Sequence, residues 1–410
     1  MKILIKDILL NDNITDVLIE GDSIKIIGSH LSVKDFDEVI EGKNKAILPA
    51  FYNLHCHAAM NLLRGYSEDL PLFDWLQKIW AKEATLSAED IYNGTRLAIL
   101  EMIKSGTVFF ADMYWYHESI VQAVKDMGVR CNVGVCFMDR LGEQTIKKNI
   151  KFLENFDCSS SLITVAAAPH AIYTCSGELY KKCKDVAKAN GLYFQTHLSE
   201  TTQEVEDCKK EHNMTPTEYL DSLGVLDEQS ILAHCVHLTE TDAKILADKG
   251  SVAIHNPCSN MKLSSGSMNI EILKKYGVKI ALGTDGCSSN NNLSMMEEMK
   301  FAVLMAKLKT GKADSLTAKE VFDMATINGA KAYNINVGKI QEGMKADCLL
   351  IDLTNERMTP NYNTLYNIVY SADSSCIDTV ICNGKILMRN RYVEDEESII
   401  LTAMRYNEKK

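Results

Sequence analysis

The stretch "FYNLHCHAAM", residues 51 to 60, closes an apolar run with two imidazoles one residue apart, His55 and His57. On an extended chain alternate side chains share a face, so this pair can converge on one point and hold a metal ion. Solvated or core histidines are commoner than ligands, so the remaining donors must come from elsewhere. Candidates recur with one placement: His170, His197, His234, His255 and Asp285 end or directly follow the apolar runs "LITVAAAPH", "LYFQTHLSE", "QSILAHC", "SVAIHN" and "VKIALGTDG". Satisfied core imidazoles would not share that position. Zinc takes imidazole nitrogen and carboxylate oxygen, and a catalytic site leaves one position for water. His55, His57, His197 and Asp285 form such a mixed set, able to bring a bound water toward deprotonation at neutral pH. Glu200 follows His197 by three residues in "THLSE", close enough to carry protons at the same centre; the plainer alternative is a solvated loop glutamate. A ligand carboxylate at Asp285 can also hydrogen-bond the attacking hydroxide.

The elements that must position these residues alternate. Eight strand-length apolar runs, the five above with "KAILPAFYNLH", "GTVFFADM" and "RCNVGVC", are each followed by a polar or Gly-marked break and a helix-period segment. Continuous apolar strands alternating with amphipathic helices are parallel βα units, and eight of them close a (β/α)8 TIM barrel with its active site at the C-terminal strand ends. Residues 1–48 and 338–410 carry short strand patterns instead. "MKILIKDILL" and "DSIKIIGS" flank an "EGDS" turn, and "DTVICNGKILMRNRYV" has an Asn-Gly hairpin turn at Asn383 and Gly384. The expected organisation is an α/β barrel over residues 49–337 and a small β-sandwich built from both chain ends. Residues 316–334 form a helical exit between them, "LSMMEEMKFAVLMAKL" is a core-facing helix, and "EDEESII" with the final "NEKK" is an exposed end.

Bulk properties narrow the partners. The chain has 410 residues, 46% of them hydrophobic and 24% charged, which is globular, and a net charge of -11 argues against nucleic acid or an anionic membrane as partner. A small neutral or zwitterionic molecule fits better. Thirteen cysteines without C-x-x-C pairs and an N-terminus without a signal-type apolar core suggest a reduced, cytoplasmic protein. No apolar stretch approaches the roughly 18 residues of a membrane span. Self-association is left open. Ala168 and Pro169 end the fourth run where a metal-bridging modified lysine would have to sit, so one metal is expected. The H-x-E with P-C-x-x-C signature of nucleobase deaminases, G-x-G-x-x-G, the P-loop and H-E-x-x-H are all absent.

Nearly the whole chain resembles the amidohydrolase superfamily, and within it the 5-methylthioadenosine/S-adenosylhomocysteine deaminases and their chlorohydrolase-like relatives. The resemblance is carried by "NLHCHAAMNLLRGYSEDLPLFDWLQKIW", "APHAIYTCS", "THLSET", "LAHCVHL", "HNPCSNMKL" and "LGTDGCSSNN". It implies one divalent metal held by His55, His57, His197 and Asp285, with zinc favoured although ferrous iron accepts the same donors. It also implies Glu200 and His234 in proton transfer, Glu83 of "WAKEATLS" on ribose hydroxyls and His170 on the substrate. The implied reaction is attack of metal-bound hydroxide on C6 of an adenosine derivative (5'-methylthioadenosine, S-adenosylhomocysteine or adenosine), with release of ammonia. Guanine, a pterin or a triazine is the alternative substrate on the same site. Two departures stand out. Ala50 replaces the usual glycine before the first strand, and the arginines that relatives use for amino-acid tails have no match, Arg140, Lys147 and Lys148 being only nearby cations. His117, His237 and His255 are expected to be structural.

Overall fold

A computed structural model describes residues 1–33, 35–160 and 162–408. Eight parallel strands run in sequence order around a barrel: Phe51–Cys56, Thr107–Tyr114, Arg130–Phe137, Ile163–Pro169, Tyr193–Leu198, Ser230–His234, Val252–His255 and Lys279–Leu282. Thr107–Tyr114 and Arg130–Phe137 are buried at every position, as strands covered by helices outside and filled by side chains inside must be. The eighth strand meets the first without a backbone ladder. That seam is closed by side chains: Asn53 Nδ2 donates to Thr284 Oγ1 at 2.7 Å, and the Thr284 N–H donates to Asn53 Oδ1 at 3.0 Å.

Both chain ends join a second sheet, in the order Lys385–Met388, Ile377–Cys382, Cys348–Asp352, Lys45–Pro49, Lys2–Leu10, Asn13–Glu20, Ser23–Gly28. Its two faces are both buried. Cys348 and Leu350 pack with Ile3, Ile5 and Ile19 in one core, whereas Leu349 and Ile351 face the core shared with the barrel, the two-residue period of a strand. Asp347 ties the two sheets together. It pairs with the buried Arg130 of the third barrel strand at 2.7 Å and accepts the Tyr52 hydroxyl at 2.5 Å and the Asn383 N–H at 2.6 Å.

The eight barrel strands fall where the apolar runs place them, with one division. "KAILPAFYNLH" is two strands: Lys45–Pro49 pairs with Cys348–Asp352 in the second sheet and Phe51–Cys56 opens the barrel. The buried Ala50 is the joint, its N–H donating to the Asp347 carbonyl at 3.1 Å. Asn383 and Gly384 take φ of 50° and 72° and turn the expected hairpin. The "EGDS" turn joins Ser23–Gly28 to Asn13–Glu20, a strand whose polar start "NITD" conceals it. The helical exit is broken at Thr326 into Ala318–Ala325 and Ile327–Ala332. In the Met-rich helix Met295–Thr310, Met295, Met296 and Met299 are buried, while Phe301, Leu304 and Leu308 form an exposed stripe. The C-terminal end is largely exposed, as expected, and is helical over Glu396–Glu408, which packs on Ala88–Lys104, buries Ile399 and pairs Glu396 with Lys104 at 2.6 Å. Of "NEKK", Lys409 and Lys410 lie outside the described residues.

Candidate active site

At the C-terminal mouth of the barrel, donor atoms of His55, His197 and His234 lie within 4.8 Å of one another, and so do those of His55, His57 and Asp285. His55 belongs to both groups, so the five side chains surround one centre. His57 and His55 direct Nε2 toward Asp285 Oδ1 at 3.2 and 3.5 Å. The rings are oriented from behind: Nδ1 of His57 donates to the Met113 carbonyl at 2.7 Å, and Nδ1 of His197 to the His170 carbonyl at 2.6 Å. Such rear hydrogen bonds fix the tautomer that leaves the Nε2 lone pair free for a metal. His55 Nε2 is buried without a hydrogen-bond partner. That orphaned nitrogen, beside two tautomer-fixed imidazoles and a carboxylate, fits a divalent cation.

The electrostatics agree with a ligand shell. Burial pushes His55 down to about 4, keeping it in the neutral form that ligates. Burial also pushes His57 down, but Asp285 overrides it and raises the ring to about 9. Asp285 itself, although burial opposes its ionisation, is held well below the usual carboxylate range by His55 and His57. A cation bound there competes with the His57 proton.

The backbone around Asp285 is built for close approach. A Cβ on Gly283 would meet the His55 backbone nitrogen at 2.8 Å, and one on Gly286 would meet Met60 Sδ at 2.6 Å and His57 Cβ at 3.2 Å. The glycines of "LGTDG" thus let the loop press against both histidines. Asp285, His234 and Ser199 adopt φ of 64°, 72° and 50°, left-handed conformations that cost free energy in non-glycine residues and concentrate at functional sites.

Glu200 is buried, its Oε1 accepting the Ser265 hydroxyl at 3.0 Å and its Oε2 lying 3.7 Å from His234 Nε2. Burial raises its pKa. Its N–H and that of Ser199 donate to the two carboxyl oxygens of Glu204, at 2.7 and 2.9 Å. His234 Nδ1 donates to Asn260 Oδ1 at 2.8 Å, and Asp285 Oδ2 accepts the Ser259 hydroxyl at 2.6 Å.

A cavity opens over this cluster, lined by His57, His170, Glu200 and Asp285 and walled by aromatic rings including Trp80 and Trp115. Glu83, the last residue of the helix Leu72–Glu83, lines the same cavity. It is buried, its Oε1 has no hydrogen-bond partner, and burial raises its pKa to about 6. His170 Nδ1 contacts Thr174 Oγ1 at 3.0 Å, and its ring packs 4.6 Å from that of His197. Of the expected site residues, His57, Glu83, His170, His197, Glu200, His234 and Asp285 line this cavity, and His55 adjoins it through the two donor groups. His117, packed on Phe152, His237, bonded to the Ser265 carbonyl, and His255 belong to neither donor group. Arg140 stacks 4.1 Å over Trp80 beside the cavity, and Lys147 pairs with Glu143 on the surface at 2.7 Å. Sequence reasoning missed Ser259, Asn260, Ser265 and Glu204; their only signal was their presence in "HNPCSNMKL" and just beyond "THLSET" and "NMKL".

The amidohydrolase family profile matches residues 46–387. The chain belongs to the amidohydrolase family. A Methanosphaera stadtmanae protein named 5'-deoxyadenosine deaminase is 44% identical over 409 residues, covering 97% of this chain and 96% of its own. An Archaeoglobus fulgidus protein named 5-methylthioadenosine/S-adenosylhomocysteine deaminase 1 is 41% identical over 95% of this chain and 93% of its own. Among solved structures, an adenosine deaminase from Xanthomonas campestris with bound zinc superposes with a TM-score of 0.92 at 28% identity, covering 99% of this chain and 98% of the other. This amidohydrolase thus shares 95–99% of its length with proteins named for acting on adenine nucleosides.

Proposed function

We propose that this amidohydrolase hydrolytically deaminates adenosine derivatives, converting the 6-amino group of the purine to a carbonyl and releasing ammonia. The observation that carries the reading is the convergence of His55, His57, His197 and Asp285 with Glu200 at the floor of one aromatic-walled cavity that also holds Glu83. His55, His57, His197 and Asp285 would hold one divalent ion, zinc or ferrous iron, whose chemistry is to lower the pKa of a water molecule so that it is nucleophilic at neutral pH.

The chain's own groups supply binding and proton transfer. Flat aromatic walls suit a purine, and Glu83, whose Oε1 has no hydrogen-bond partner, suits ribose hydroxyls. Glu200, kept protonatable by burial, delivers a proton to N1 as water adds to C6. His234 and Asp285 accept the proton that water loses, and it passes on to the amino group. The C6–N bond then breaks and ammonia leaves, the C6 hydroxyl returns its remaining proton to the Glu200 carboxylate as it becomes the carbonyl, and N1 keeps its proton in the hypoxanthine product. A reducing, cytoplasmic setting accompanies this reading, supported by thirteen cysteines that are all free. The test is to incubate metal-loaded protein with 5'-deoxyadenosine, methylthioadenosine, S-adenosylhomocysteine, adenosine and guanine while following ammonia and the near-ultraviolet spectrum. Ammonia from the adenosine derivatives is the expected result; none from any of them rejects the reading.

A further inference from the structure

Resting on the deaminase reading, we propose that the segment Ser259–Ser265, which carries no reacting group, positions all three proton-handling side chains of the site. Ser259 donates to Asp285 Oδ2 at 2.6 Å, Asn260 Oδ1 accepts from His234 Nδ1 at 2.8 Å, and Ser265 donates to Glu200 Oε1 at 3.0 Å. All three are buried. Each contact occupies one polar atom of its partner and turns the other toward the centre. The atoms facing the centre are Asp285 Oδ1, which accepts the Gly286 N–H at 2.9 Å and lies 3.2 Å from His57 Nε2, and His234 Nε2 with Glu200 Oε2, 3.7 Å apart.

This pattern selects where protons sit. A carboxylate oxygen that accepts a hydroxyl hydrogen is the less favourable one to protonate, so the Glu200 proton resides on Oε2. An amide oxygen at Nδ1 requires the hydrogen there, so His234 presents an unprotonated Nε2. The proton donor and the proton acceptor are therefore set by one short stretch of chain.

The segment is itself held rigidly. Pro257 opens the helix Pro257–Lys262, and the Cys258 N–H donates to the buried Glu298 at 3.1 Å. At the other end His237 Nε2 donates to the Ser265 carbonyl at 2.6 Å, and the Ser265 N–H donates to the Asn260 carbonyl at 2.8 Å. Gly266 follows at φ +121°, where a Cβ would meet Val236 Cγ1 at 2.9 Å, so this end of the stretch admits glycine alone.

The experiment compares variants at equal metal content, verified by elemental analysis. In Ser265→Ala, kcat for a nucleoside should fall about tenfold with KM within about twofold, the loss of one hydrogen bond to an ionisable group. Ser265→Thr should restore most of it. Adding Ser265→Ala to Glu200→Gln should cost nothing further, because the serine acts only through that carboxyl. Nitrogen-15 NMR of the histidines should show His234 as the Nδ1–H tautomer, becoming mixed in Asn260→Leu. The NMR measurement needs no turnover, so it stands even if no tested nucleoside is deaminated. An equal loss from Ser265→Ala in the Glu200→Gln background, no rescue by threonine, or an unchanged His234 tautomer in Asn260→Leu would overturn the proposal.

Discussion

The Asp285 main-chain N–H donates to the His55 carbonyl at 2.9 Å, so the eighth strand's loop is fastened to the first strand at the residues whose side chains also meet. The proposed metal donors from opposite ends of the barrel sequence are thus brought together by backbone as well as by side chains, which is the preorganisation a catalytic centre needs.

Metal removal should therefore be felt in both activity and stability. Dialysis against a chelator is expected to abolish deamination, and zinc or ferrous iron to restore it. Because a ligand that binds only the folded state stabilises it, the melting temperature should rise by several degrees on reloading. Asp285→Asn should lower bound metal below one per chain, measured by elemental analysis; full occupancy in that variant would remove Asp285 from the ligand set.

Glu200→Gln keeps the shape of the side chain but has no acidic proton to transfer. Its turnover should drop by a factor of about 10² to 10⁴, the usual contribution of a general acid, while metal content stays at the wild-type level. Wild-type turnover in this variant would exclude Glu200 as the proton donor.

Glu83 is buried with Oε1 unpaired, an arrangement that favours a bound hydrogen-bond donor over an empty cavity. With ribose hydroxyls as that donor, Glu83→Gln should raise KM for adenosine by about tenfold or more, the worth of a hydrogen bond to a charged group. The effect should shrink for a substrate lacking the 2'- and 3'-hydroxyls. An equal effect on both substrates would place Glu83 elsewhere in the mechanism.

The Glu298 carboxyl is fully buried, accepting from the Cys258 N–H and from Asn290 Nδ2 at 2.6 Å, and burial raises its pKa to about 8 from an ordinary 4.5. The folded state then binds a proton that the unfolded chain has released, so unfolding free energy falls as pH climbs from about 4.5 to about 8 and levels off above. Glu298→Gln should match wild type near the acid end of that window and exceed its stability at the alkaline end. Urea unfolding at the two pH values measures this; parallel curves for the two proteins would contradict it.

Asp347 and Arg130 form a buried pair between the two sheets at 2.7 Å. Asp347→Asn removes the carboxylate that pairs with this buried guanidinium and should destabilise the protein by about 3–5 kcal/mol, whereas a simultaneous Arg130→Met should recover part of the loss. Denaturant titration distinguishes this from a pair that contributes nothing.

The barrel and the converging donors were legible because both write themselves in chemically distinctive residues. Imidazoles and an aspartate after apolar runs are hard to produce by packing alone. The split at Ala50 was not legible, since both sheets demand apolar residues and "KAILPAFYNLH" satisfies them equally. Asn13–Glu20 was missed because its first half faces solvent. Ser259, Asn260 and Ser265 went unassigned for a different reason: serine and asparagine are ordinary loop and capping residues, and only the positions of Asp285, His234 and Glu200 in space give them meaning. Trp80 likewise looks like any helix aromatic until the cavity is seen.

Among the described residues, the junction closed by Asn53 and Thr284 is the one place where adjacent barrel strands have no ladder between them. A cation gripped by His55 and His57 on one side and by Asp285 on the other would act as a rivet across that gap. Amide hydrogen exchange in Phe51–Cys56 and Lys279–Leu282 should accordingly quicken first when the ion is stripped, so that the ring loosens where it is needed for catalysis before it loosens anywhere else.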